Sequence, residues 1–381
     1  MPSEISPPGM QQLEYETVDL NINMGPQHPS THGVFRMVLT VDGEVIVDVD
    51  PVIGYMHRGG EKLLETLDYR QGIGIMDRTD YLGNFNGEQV YCMAAEQLYG
   101  FEVPDRAEYL RVICTELNRV ASHMMFMGAY GTDAGVFGTT FTYGFIERER
   151  IQRVFERLTG ERMMYNYFRV GGVAWEPYDG FERDIRDVIP LLRQGIADFN
   201  GLLTTNEVFL ARTRNIGAIT AERAIDYGIT GPMLRASGVK YDVRKDEPYS
   251  IYDRFDFDIP TGTTGDCYDR YLVRLEEIVQ SLRIVEQALD QLPATGPLMP
   301  ERYPRMLRLP VGEVYSRIEG PRGEYGIYLV SKGGNKPYRC KIRPPSFCNL
   351  SALREMTVGE YVADAVIILG SVDIVLCEVD R

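Results

Sequence analysis

The sequence predicts an α+β fold, a mainly helical bundle flanked by small antiparallel β regions. Three observations carry this reading. An Asp42-Gly43 pair separates two alternating apolar runs near the N-terminus, helical periodicity dominates from about residue 61 to 292, and loops with short β-rich runs return after Pro293. With 381 residues, 44% hydrophobic and 25% charged, the chain is long enough to bury a sizeable core.

Residues 1–14 are polar and rich in proline and read as a disordered tail. Residues 15–60 read as an N-terminal β region. Apolar positions alternate from Tyr15 to Ile22, again at Phe35, Met37, Leu39 and Val41, and again at Val45, Val47 and Val49. The Asp-Gly pair joins the last two runs as a two-residue hairpin. Residues 61–295 read as the helical core, with amphipathic stretches at 88–99, 105–127, 141–158 and 181–210. The cleanest helix is 270–292, where Leu272, Leu275, Val279, Leu282, Val285 and Leu289 form one apolar stripe, with Asp266 or Thr264 as N-cap. Residues 296–381 read as a loop and β region: 324–331 alternates, 363–379 is rich in β-branched residues, and 365–369 reads as a buried strand.

Composition excludes several classes of function. A net charge of −15 disfavours nucleic acid as a partner, because phosphates demand clustered Lys and Arg, and equally disfavours unassisted binding to anionic lipid. No apolar run approaches the roughly 20 residues that span a bilayer, and the first residues lack a signal-peptide pattern, so the chain is expected to stay in the cytoplasm. The six cysteines are scattered without a C-x-x-C pair, so neither a disulfide framework nor a zinc or iron–sulfur site is signalled. Any redox cluster must come from another chain. Gly72-x-Gly74 lacks the third glycine of a dinucleotide fingerprint, so the chain itself is not expected to bind NADH.

Four places carry candidate chemistry. The stretch from Gly25 to Gly33 holds His28 and His32, two of only four histidines, in a loop whose Gly and Pro residues forbid a helix. Histidine changes charge near neutral pH, so the pair fits proton chemistry, a metal, or simply a solvated hydrogen-bonding role. Arg58, Glu61 and Lys62, beside Gly59-Gly60, read as a solvated helix start. Tyr81 follows a Gly-rich turn at Gly72 and Gly74 and by pattern alone is a packing residue with a satisfied hydroxyl. Asp133 falls in a break between helical stretches, where it fits either a helix cap or a carboxylate that fixes a histidine tautomer.

Read in order, residues 25–33, 57–62, 78–81, 145–150, 231–238 and the ending 370–381 resemble the hydrogenase-large-subunit-like subunits of respiratory complex I, over nearly the whole chain. That family is similar to the large subunit of nickel–iron hydrogenases with its metal site removed. The hydrogenase motif R-x-C-G-x-C falls on 78–83 and D-P-C-x-x-C on 373–378, which puts Asp80, Gly83, Val375 and Glu378 at the ligand positions. None is cysteine, and Cys377 stands beside a ligand position without filling it. A soft-metal site needs thiolate sulfur, so hydrogenase activity is excluded and no metal is expected on this chain.

The resemblance implies a quinone site in a proton-pumping NADH:quinone oxidoreductase, an H+-translocating enzyme. His32 and Tyr81 would hold the quinone headgroup, His28 would shape the loop, and Asp133 would pair with His32. The chain would bind no cofactor of its own. Electrons would come from an iron–sulfur cluster in the neighbouring small subunit, near which Arg58 and His123 match basic residues of the family. Implied partners are that small iron–sulfur subunit, other peripheral-arm subunits and the membrane arm, met peripherally from the cytoplasmic face of the cell membrane. The family reads D-[LI]-G-A-x-T-P-F around Asp133, whereas this chain lacks the proline and runs Gly138-Thr139-Thr140-Phe141, which predicts an altered helix start. The alternative is a non-catalytic scaffold joining the two arms. Joint retention of His32, Tyr81 and Asp133 speaks against it, because a scaffold needs none of them.

Overall fold

The computed structural model describes residues 19–28, 33–136 and 138–381. The expected tail, residues 1–14, the first part of the Tyr15–Ile22 alternation, and His32 lie outside the described residues. Strands Leu20–Met24 (β1), Arg36–Asp42 (β2) and Val45–Val52 (β3) form an antiparallel sheet in the order β1-β2-β3. Asp42 pairs with Val45 across the anticipated two-residue turn, where Gly43 takes φ +63°. Met37, Leu39, Val41, Ile46 and Val49 point inward and are buried.

Two short helices follow, Gly60–Leu64 (α1) and Gln71–Met76 (α2), so Gly72 and Gly74 lie in a helix and not in the expected turn. Close packing explains Gly72: a Cβ there would sit 2.3 Å from the Tyr91 hydroxyl. Asn84–Tyr99 (α3), Asp105–Asp133 (α4) and Thr139–Thr159 (α5) are long helices, as periodicity predicts, and a small β-ribbon of Phe168–Arg169 (β4) and Gly172–Val173 (β5) precedes Phe181–Phe199 (α6). The single stretch expected over 181–210 is broken by a π-turn at Asn200–Thr204. Helix Glu207–Thr213 (α7) restarts there because the Asn206 side chain accepts hydrogen bonds from the Val208 and Phe209 amides.

Short helices Ala221–Asp226 (α8), Pro232–Ala236 (α9) and Val243–Asp246 (α10) lead to Cys267–Gln291 (α11). The Asp266 carboxylate caps α11 by accepting from the Asp269 amide at 2.8 Å. Helix α4 is the centre of the core, packed between α5 and α11. Its crossing with α5 is made close by glycine: a Cβ on Gly144 would lie 2.5 Å from the Met124 carbonyl, and one on Gly131 would lie 2.6 Å from the Thr140 hydroxyl.

Val311–Gly320 (β6), Gly323–Lys332 (β7) and Arg339–Arg343 (β8) form the second three-stranded antiparallel sheet, and β7 contains the predicted 324–331 alternation. The chain then departs from the β expectation. Pro345–Leu350 (α12), Leu353–Thr357 (α13), Val362–Val372 (α14) and Leu376–Asp380 (α15) are helices. Ala365, Ile367, Ile368, Leu369 and Val372 are all buried, and Asp364 and Ser371 are buried with them, so α14 has almost no solvated polar face. A helix buried all round shows no 3.6-residue period, and its β-branched content then imitates a strand.

Candidate quinone cavity

Tyr81 and Asp133, 52 residues apart in sequence, line one cavity of about 390 Å³ together with Gly33, Phe126, Phe141 and Asp373. Tyr81 is half-buried in the segment between α2 and α3. The preceding residue, Asp80, holds that segment in place: its Oδ1 accepts from the Leu82 amide at 3.1 Å and its Oδ2 from an Arg322 guanidinium N–H at 2.9 Å. Burial pushes the Tyr81 phenol up to about 12, the Arg322 charge pulls it down, and the acidic side chains of Cys377, Asp80 and Asp373 push it further up. The phenol therefore stays protonated at neutral pH.

Asp133 is the last residue of α4 and not a cap of the next helix, whose N-cap is Gly138 with φ +69°. A carboxylate at a helix C-terminus opposes the helix dipole at a cost of about 0.3–1 kcal/mol, so local helix energetics do not favour an acid there. The lost family proline is replaced by Thr140, whose hydroxyl donates to the Gly128 and Val136 carbonyls at 3.2 and 3.4 Å and locks the start of α5 onto α4.

Gly33 brings the histidine loop to the cavity. Its φ of +128° suits only glycine, and a Cβ there would meet Leu376 of α15 at 3.2 Å. A β-bridge between His28 and Gly33 closes the ends of the loop, with His28 on the exposed side. His32 itself lies outside the described residues, one position before a lining residue of the cavity.

Arg58 and His123 are placed very differently. Arg58 is exposed on the loop before α1 and donates to the Arg78 carbonyl at 3.0 Å. That loop is tied to the end of the chain: the Gly54 and Met56 amides donate to the Asp380 carboxylate at 2.8 and 2.7 Å, and His57 Nδ1 lies 2.6 Å from the Asp380 carbonyl. His123, by contrast, is fully buried on α4 with Nε2 2.9 Å from Glu277 of α11. Burial lowers its pKa despite Glu277, which keeps the imidazole neutral near pH 7.

Sequence reasoning missed Arg322 and Asp373. Arg322 occupies the tight turn between β6 and β7, where a charged side chain ordinarily faces water, yet it is buried. Asp80 and Glu378, two of the positions matching hydrogenase ligands, lie close enough that Asp80 adds to the effect of burial and raises Glu378 to about 8. Among the described residues, no group of three or more His, Cys, Asp or Glu side chains is arranged to hold a metal ion. No helix among them is long and apolar enough to cross a membrane.

A helical core between small antiparallel sheets, with a tyrosine and an aspartate at a cavity and no cysteine at any of the four motif positions Asp80, Gly83, Val375 and Glu378, defines a large subunit of the hydrogenase type without its thiolates. The sequence profile described as "Respiratory-chain NADH dehydrogenase, 49 Kd subunit" matches residues 133–308 and 301–381. The D subunits of NADH-quinone oxidoreductase from Geobacillus thermodenitrificans and Bacillus anthracis are 50% and 49% identical over 364 residues, 96% of this chain and 99% of each relative. The protein of the same name from Dehalococcoides mccartyi is 51% identical over 369 residues, 97% of this chain and all of the relative. The chain belongs to this family of complex I subunits.

Proposed function

We propose that this chain forms the quinone-reducing site of a proton-pumping NADH:quinone oxidoreductase. The observation that supports this most is the convergence of Tyr81, Asp133 and Gly33, the neighbour of His32, on one cavity. Reduction of a quinone to a quinol needs two electrons and two protons. The electrons come from an iron–sulfur cluster of the adjacent small subunit. One proton leaves the Tyr81 hydroxyl for one quinone oxygen, and the other leaves the His32 imidazole for the second. A phenol held near pKa 12 keeps its proton until the quinone oxygen has gained electron density and become the stronger base.

Asp133 pairs with His32 and favours its protonated form before transfer. Once His32 has given up its proton, the Asp133 charge is no longer balanced, and that change of charge starts the coupling to proton translocation. The exposed Arg58 places a cation toward the partner's cluster, which stabilises the reduced cluster and raises its potential. His123 acts from within the core through Glu277 and its arginine partner, Arg235. The chain sits peripherally on the cytoplasmic face of the membrane arm, beside the small iron–sulfur subunit.

Photolabelling of the assembled complex with an azido-quinone tests the site. Label on peptides carrying Tyr81, Phe126 or Phe141, displaced by excess unlabelled quinone, supports the reading. Displaceable label confined to other subunits contradicts it and favours the scaffold.

A further inference from the structure

Arg322 reaches three parts of the fold at once. Its guanidinium donates to Asp80 Oδ2 at 2.9 Å, to Ser122 Oγ at 3.1 Å and to the Asp373 carbonyl at 3.1 Å, and lies 3.7 Å from Asp373 Oδ2. Asp80 precedes Tyr81, Asp373 lines the cavity, and Ser122 belongs to α4, the helix that ends in Asp133. One buried side chain thereby joins the elements that carry Tyr81 and Asp133. It also bridges segments 78–83 and 373–378, whose hydrogenase counterparts are joined by metal.

We propose that Arg322 is the positioning residue of the quinone site, holding the Tyr81 segment against the cavity and supplying a fixed positive charge to balance the phenolate left when Tyr81 gives up its proton. This rests on the quinone-site reading. Three acidic side chains, Asp80, Asp373 and Glu378, surround Arg322. Without the guanidinium, Asp80 and Asp373 would face Tyr81 unbalanced and oppose a second negative charge there. In the step itself, the Tyr81 O–H bond breaks, its proton bonds to a quinone oxygen, and the electrons arrive from the neighbouring iron–sulfur cluster. Arg322 is buried behind the cavity and is not one of its lining residues, so in this proposal it acts on how readily the proton leaves, not on how tightly quinone binds.

The test uses the assembled complex, checked by native gel and by reduction of the terminal cluster, with decylubiquinone as the substrate. Arg322→Met is expected to lower kcat at least tenfold, to leave KM within about twofold, and to raise the solvent deuterium isotope effect as proton transfer becomes limiting. Arg322→Lys keeps the cation and is expected to restore most of kcat with a smaller rise in the isotope effect. Arg322→Met with kcat within twofold of the unmodified complex overturns the proposal, as does Arg322→Lys performing no better than Arg322→Met. Where Arg322→Met fails to assemble, Arg322→Gln, which keeps hydrogen-bond donors and removes the charge, takes its place: kcat within twofold of the unmodified complex overturns the proposal. Tyr81→Phe runs in parallel. If it abolishes turnover while Arg322→Met does not, only the role of Arg322 fails. If Tyr81→Phe leaves turnover intact, the quinone-site reading fails with it.

Discussion

Arg235→Met removes the hub of the buried charge network. Arg235 is fully buried at the end of α9, where its Nε donates to Glu277 Oε1 at 2.9 Å and its Nη1 donates to Glu319 Oε1 at 2.8 Å and to the Tyr241 carbonyl at 2.9 Å. Asp242 lies 3.6 Å away, and His123 holds the other oxygen of Glu277 at 2.9 Å. Burial opposes ionisation of Glu277 more strongly than any single partner favours it, but the Arg235 charge, the His123 contact and the Arg119 charge together outweigh burial and hold that carboxyl well below its ordinary range. Methionine fills most of the arginine stem and supplies no charge, which strands Glu277 and Glu319 in the core. Breaking a buried pair in this way costs about 3–5 kcal/mol.

A chain of this length has an unfolding entropy of about 0.8 kcal/mol/K, so the loss corresponds to a fall in Tm of about 4–6 °C. Scanning calorimetry of the purified complex reads it. Arg235→Met combined with Glu277→Gln is expected to regain part of the loss, because one stranded charge has been neutralised. A fall below about 1 °C, or a double variant no more stable than Arg235→Met, would refute the ionic account of this core.

Other expectations follow from the same geometry. Gly144→Ala places a Cβ about 2.5 Å from the backbone oxygen of Met124, which cannot yield, so the α4–α5 crossing must open. We expect a loss of about 1–3 kcal/mol, visible as a lower Tm, and reduced quinone turnover because Phe141 and Asp133 move with the crossing. Burial raises Asp77 to about 6, above its unfolded value of 3.8, so the folded chain binds the extra proton between those limits. Stability then falls as pH rises from about 4 to 6, and Asp77→Asn is expected to flatten that slope in urea titrations. If the exposed Arg58 faces the partner's cluster as proposed, Arg58→Leu is expected to lower the cluster's midpoint potential by on the order of tens of millivolts in redox titration with EPR. An unchanged potential would remove Arg58 from the cluster's surroundings.

What could be read from the sequence follows from what local chemistry determines. Asp42-Gly43 and the Leu272–Leu289 stripe identified the β2–β3 hairpin and α11 because a turn type and a helical face each leave a periodic trace. Tyr81 and Asp133 were legible as candidates because their motifs occur in a fixed order, and the fold places both on one cavity. Residues 363–379 misled because a helix buried on all sides has no polar face to reveal its period. The buried arginines, among them Arg111, Arg119, Arg235, Arg270, Arg274 and Arg322, left no sequence signal at all. Each is buried only because acidic or carbonyl partners from distant segments meet it, as Asp80 and Asp373 meet Arg322 across 242 and 51 residues.

Quinone turnover of membranes carrying Tyr81→Phe tests the reduction site most directly. The change deletes one hydroxyl, keeps the ring, and leaves the Asp80–Arg322 contact in place. With an assembled complex and a terminal cluster still reduced by NADH, turnover is expected to collapse, because the quinone oxygen facing the phenol has lost its proton donor. Turnover at the unmodified rate in that same assembled complex would contradict the account, leaving Tyr81 as a packing residue and the chain as a scaffold between the two arms.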